Sequence, residues 1–234
     1  MSSKVRLGVA LIAIIAVVSV AAFLYLTREV AAPSIDVQDS VEQIEATDDG
    51  SGNAVVFRIS QEESQVEYNI YELLNGNDKT VVGTTTQVAG DILLNLSDLS
   101  QTQVGEISIN ARTFQTDEDR RDNSVARFIL QSENDANEFI TFQPTGITGL
   151  PASAVVGDTL TFQVTGDLTI AGTTNSVTFD VSATLESDTR LVGHAETVVQ
   201  RSSYNLNIPD VPFVANVGDD VTLKLDFVAT AVAE

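Results

Sequence analysis

The chain has 234 residues, enough for one sizeable domain with appendages. It contains no cysteine, so disulfides, thiol nucleophiles and thiolate metal sites are excluded; its single histidine, His194, excludes a multi-histidine site within one chain and reads as a solvated strand residue. The net charge is −21, with lysine only at Lys4, Lys79 and Lys224, so the surface repels phosphate backbones and nucleic acid is not an expected partner.

Residues 7–26, LGVALIAIIAVVSVAAFLYL, carry no charge. Twenty helical residues span about 30 Å, the thickness of a bilayer's hydrocarbon core, which predicts a transmembrane helix within an anchor of residues 1–28. Lys4 and Arg6 precede the run, and acidic residues dominate after Arg28. This asymmetry predicts a single-pass protein of the cell membrane, with a cytoplasmic N-terminus and the rest periplasmic or extracellular. A cleaved signal peptide is the alternative, because Val30-Ala31-Ala32 fits the small-residue cleavage rule; the length of the apolar run and Pro33 argue against it. Residues 29–53 are acidic, small and end in GSGN, which predicts an extended, solvated linker without contacts to the domain at 54–234.

From Ala54 onward the pattern has period two. Strands are predicted at Ala54–Ile59, around Val66, Tyr68 and Ile70, at Lys79–Val88 and Asp91–Leu96 (a hairpin about Ala89-Gly90), and at Val104–Ala111. Further strands fall at Phe139–Ile147, Thr159–Ile170, Ser176–Glu186, Leu191–Gln200 and Val221–Val232. Such alternation marks one dry and one wet face, and many strands without long helices predict a sandwich or a closed antiparallel barrel. One short helix is predicted near 122–131, capped by Asp122 or Asn123, with Val125, Phe128 and Ile129 on one face.

Several segments carry a family resemblance. Phe57-Arg58-Ile59 with Ser64-Gln65-Val66, Thr113-Phe114-Gln115-Thr116 with Arg120-Arg121-Asp122-Asn123, Phe139-Ile140-Thr141-Phe142, Gly166-Asp167-Leu168-Thr169-Ile170-Ala171-Gly172 and Arg201-Ser202-Ser203-Tyr204 occur in one order. Together they resemble the YceI-like family of lipocalin-like, polyisoprenoid-binding barrels. Two positions depart from its usual pattern: Ser124 stands where many members have histidine, and Glu138 where proline is usual. The resemblance implies an all-β, lipocalin-like closed antiparallel β-barrel with one short helix. It also implies a bound polyisoprenoid lipid as the only cofactor-like group, a binding rather than catalytic role, and a homodimer.

The inward faces include Phe162, Leu168, Ile170, Phe179, Leu223, Leu225 and Phe227. They either line a lipid tunnel or fill the barrel themselves, leaving a structural or interaction domain without ligand. Bases are scarce, so Arg120, Arg121 and Arg201 stand out; they hold a headgroup or pair with carboxylates such as Asp122. The expected ligand-contacting set is Arg121, Asp122, Val125, Phe128, Ile129, Phe142, Phe162, Leu168, Ile170, Phe179, Arg201 and Tyr204. Asp117-Glu118-Asp119 lacks the glycine and terminal glutamate of a calcium loop, so no metal site is expected. No nucleophile elbow, phosphate loop or zinc-protease motif is present.

Overall fold

The alternating segments pair into one antiparallel sheet. The computed structural model describes residues 30–45, 54–210 and 214–232; residues 7–26, read above as the membrane anchor, lie outside them. No helix among the described residues is long and apolar enough to cross a membrane.

The strands are β1 (Ala54–Ile59), β2 (Gln65–Leu74), β3 (Asn77–Thr85), β4 (Val88–Ala89), β5 (Asp91–Asn95), β6 (Gln103–Val104), β7 (Ile107–Asn110), β8 (Phe139–Thr148), β9 (Thr159–Ile170), β10 (Thr173–Ser187), β11 (Arg190–Gln200), β12 (Val214–Ala215) and β13 (Asp220–Ala231). The sheet runs β4-β7-β8-β9-β10-β11-β13-β1-β5-β6, with β2, β3 and β12 branching from it. β13 is the branch point: one edge pairs with β11, and the other takes β2 along Val221–Asp226 and β1 along Ala229–Ala231. Among the described residues no ladder joins the two ends of this path, so the closed barrel is not shown. The architecture is a curled, all-β antiparallel sheet, a half-barrel with one short helix.

Two-residue turns set the register of two hairpins. Asn75-Gly76 (φ 52° and 77°) links β2 to β3, and Ala171-Gly172 (φ 47° and 77°) links β9 to β10. Positive φ at both central residues suits the twist of the flanking strands. The hairpin expected at Ala89-Gly90 does not form. β4 pairs with β7, whereas β5 pairs with β1, so the chain changes partner at Gly90 instead of reversing. β5 is buried at every position, a pattern foreign to a half-solvated hairpin.

The helix also differs from expectation. α1 (Asp119–Ser124) starts earlier and runs into a π-helical turn, Val125–Ile129. Asp122 is not its cap; its carboxylate accepts from the Thr116 backbone N–H (2.8 Å) and hydroxyl (2.6 Å), tying down the preceding loop. The wider turn, closed by Leu130 N–H donating to the Val125 carbonyl (2.8 Å), rotates Phe128 away from Val125 and Ile129. Phe128 is 39% exposed and does not share their face.

The described part of the expected linker packs on the sheet. Asp36 caps a 3₁₀ turn at Val37–Ser40 by accepting from Gln38 N–H (2.8 Å). Val37 is fully buried, and with Val41 it packs among Ala89 and Phe139. Residues 31–45 therefore touch the sheet through these two valines, while most of their other side chains stay exposed. Two valines four apart show too little periodicity to announce burial; the partner surface comes from distant strands.

Candidate functional site

The inward faces enclose an apolar cavity of about 580 Å³. β9 contributes Phe162, Val164, Leu168 and Ile170, β10 contributes Phe179 and Val181, and β13 contributes Leu223, Leu225 and Phe227. Phe142 of β8 meets Phe179 edge-on, with ring centroids 5.0 Å apart. Pocket volumes of this order, lined mainly by hydrophobic groups, suit small-molecule ligands.

Glycines on neighbouring strands explain why the lumen stays open. Phe142 lies over Gly166: a Cβ there would sit 2.7 Å from the ring and 2.5 Å from the Gln143 carbonyl oxygen. Gly193 is paired with Phe227 and Gly83 with Tyr68, and a Cβ at either would strike the facing ring. The rings thus settle against the wall where a side chain is missing, instead of filling the centre. This gives the first glycine of the GDLTIAG segment its physical reason.

The mouth holds the polar groups. Arg121 donates to the buried carboxylate of Glu72 (Nη2 to Oε1, 3.2 Å) and to Asp117. Lys79 Nζ also reaches Asp117 (2.5 Å), and its hydrogen bond holds the Asp117 carboxyl below the usual range. The Tyr68 hydroxyl is buried beside them and has no hydrogen-bond partner among the described residues. Burial, with the nearby Asp122 charge, pushes this phenol well above its ordinary pKa, so it remains a neutral donor. Its ring packs on Phe114 at 5.3 Å. Arg201 is committed to the backbone, donating from Nε to the Gly218 carbonyl (2.9 Å) and from Nη1 to the Leu206 carbonyl (3.1 Å). Tyr204, only 2% exposed, closes the mouth beside it.

Of the residues singled out in the sequence, Arg121, Val125, Ile129, Phe142, Phe162, Leu168, Ile170, Phe179, Arg201 and Tyr204 border the cavity. Asp122 and Phe128 do not, for the reasons given above. Tyr68 and Glu72 were missed, although the signal was present. β2 reads Val66, Tyr68, Ile70, Glu72, Leu74 on one face, and a carboxylate in phase with an apolar stripe marks a buried, paired charge. His194 lies outside the cavity on the wet face, its Nδ1 2.7 Å from Asp226. Among the described residues no cluster of three or more metal-binding side chains occurs.

The antiparallel sheet thus curls around an apolar cavity, with polar groups gathered at one end. The YceI-like domain profile matches residues 57–229, and the chain belongs to that family. The crystal structure of BcnA from Burkholderia cenocepacia is similar at 20% identity and a TM-score of 0.58, covering 74% of this chain and 99% of that one. A polyisoprenoid binding domain from Saccharophagus degradans, implicated in plant cell wall breakdown, is similar at 11% identity and a TM-score of 0.57, covering 76% and 99%. The YceI protein of Campylobacter jejuni follows at 15% identity and a TM-score of 0.50, covering 65% and 85%. Comparison with curated proteins returns no match.

Proposed function

We propose that this protein binds and carries a long, mainly apolar lipid of polyisoprenoid type within the sheet's cavity. The observation that carries the reading is the open apolar lumen, kept clear by rings laid over glycines. Each methylene taken from water into such a lumen contributes about 0.8 kcal/mol. A polar headgroup at the mouth meets the Tyr68 hydroxyl, whose proton has no acceptor among the described residues, while Arg121 is already balanced by Glu72 and Asp117. The role is binding, not catalysis; the family membership and the apolar lining support this. The test is uptake of a fluorescent polyprenyl probe, competed by unlabelled polyprenol. Saturable, competable uptake supports the reading. No uptake, with an interior filled by side chains in a crystal structure, replaces it with a packed display domain.

The same proposal places the domain outside the cytoplasm, tethered through residues 7–26, with the sheet closing into a full barrel around bound lipid. The charge asymmetry about the apolar run supports the tethering. Protease added to spheroplasts degrades the domain if this orientation holds, and leaves it intact if the domain is cytoplasmic. The homodimer rests on the family resemblance alone, and sedimentation velocity tests it.

A further inference from the structure

Residues 31–45 precede the family match, which begins at residue 57, yet they are bound to the sheet along their length. At one end Ser34 donates from its N–H (2.7 Å) and its hydroxyl (2.5 Å) to Glu138, a fully buried carboxylate. Arg112 Nη1 donates to the same carboxylate (2.8 Å) and to the Ala32 carbonyl (3.1 Å). In the middle Val37 and Val41 bury against Ala89 and Phe139, and the Ser40 hydroxyl donates to that of Ser108 (2.8 Å). At the other end Ile44 N–H donates to Asp91 Oδ2 (3.0 Å), a carboxylate that also holds Arg58.

Three of these anchor points share one location. Ala89, Asp91 and Ser108 belong to the stretch 88–110, where two of the sheet's strands are very short. β4 and β6 are two residues each, and the chain changes partner at Gly90. Ile92, Leu94, Ile107 and Ile109 of the same stretch line the cavity on the inner side. β4 and β6 are thus held by few backbone pairings, and side-chain contacts supply the rest of what fixes this wall. The departure at Glu138 and the preceding segment therefore belong together: the unusual carboxylate is what receives Ser34.

We propose that residues 31–45 form a strap that braces the thin wall of the cavity from outside, and that its release opens this wall to ligand exchange. The gating half of the proposal rests on the lipid-binding reading; the bracing half does not. In the docked state the strap holds β4, β5 and β7 together where backbone ladders are too short to do so. In the released state Glu138 and Arg112 keep each other, while Val37 leaves its site and the 88–110 stretch loosens.

The test uses the full chain in phosphatidylcholine nanodiscs, carrying Ser40→Cys with Ser108→Cys. The chain has no other thiol, and replacing oxygens 2.8 Å apart puts the new sulfurs within disulfide reach. Mild oxidation is expected to form the bond and slow hydrogen exchange across 88–110. It is also expected to slow transfer of bound dansyl-geranylgeraniol to phosphatidylcholine vesicles about tenfold, with reduction restoring both. Val37→Asp is expected to do the opposite, speeding exchange and transfer with far-ultraviolet circular dichroism kept. No disulfide, or equal exchange across 88–110 in the oxidised and reduced forms, overturns the brace. Slowed exchange with unchanged transfer overturns the gate. A wild-type protein that takes up no probe removes the lipid-binding reading, and hydrogen exchange still decides the brace.

Discussion

Phe179→Ala separates a hollow interior from a solid one. The Phe179 ring touches Phe142 on one side and borders the cavity on the other, so it is only half-buried. In a packed core this substitution costs about 3–5 kcal/mol, because it creates a void as well as removing contacts. Here the void exists already. Half of the transfer energy of a buried aromatic ring is about 0.8–1.5 kcal/mol. Loss of the edge-on pair adds about 0.5–1.5 kcal/mol. The sum is a loss of about 1.5–3 kcal/mol for ligand-free protein, read from urea unfolding at unchanged m. Saturating polyprenol at a hundred times its Kd raises wild-type stability by about 2.7 kcal/mol. The variant gains less, since it has lost part of the wall. A loss near the top of the packed-core range, with no ligand-induced stabilisation in either protein, refutes the hollow interior.

Gly166→Ala sets a Cβ against both the Gln143 carbonyl and the Phe142 ring, so strand and ring must shift; it is expected to cost about 1–3 kcal/mol and to lower probe uptake, measured by unfolding and fluorescence titration. Tyr68→Phe removes an unpartnered buried hydroxyl, so stability is unchanged or slightly raised, whereas affinity falls for polyprenyl probes with a carbonyl or hydroxyl head and stays the same for squalene. Equal affinities for both probe classes in wild-type and variant contradict that role. Asp36, Asp117 and Asp219 titrate below their ordinary value of 3.8, held down by Gln38 N–H, by Lys79 and by the Ser202 hydroxyl respectively. Their contribution is present above that value and is lost as pH falls through the depressed folded values, so the urea midpoint drops on acidification below pH 3.8. Asp117→Asn flattens part of that decline; a midpoint independent of pH there contradicts the assignment.

Much of the sheet was legible because its long strands have one wet face. β9 falls at Thr159–Ile170 as its alternation predicts, and the cavity-facing set Phe162, Leu168, Ile170 and Phe179 follows from the same period. Legibility failed where burial is two-sided or local geometry departs from the regular period. β5 is covered on both faces, so it shows no alternation and invites a false hairpin. Phe128 sits at helical spacing from Val125, but the π turn changes the angle between them, and no residue type announces a π turn. The Asn75-Gly76 turn was readable and went unread; it carries the hairpin that aims Tyr68 and Glu72 at the mouth. The strap was invisible for a different reason. Its acidic, small-residue composition matches a solvated linker, while the groups that hold it, Glu138, Arg112 and Asp91, lie 47 or more positions away.

The most direct test of the central claim is chemical. Protein purified from its own cells without added lipid, extracted with organic solvent and analysed by mass spectrometry, is predicted to yield one class of long-chain, neutral isoprenoid lipid in near-stoichiometric amount. That yield is predicted to fall in Gly166→Ala, where the added Cβ displaces the Phe142 ring and the adjoining strand. An extract free of bound lipid, from wild-type protein that also refuses a polyprenyl probe, contradicts the carrier account.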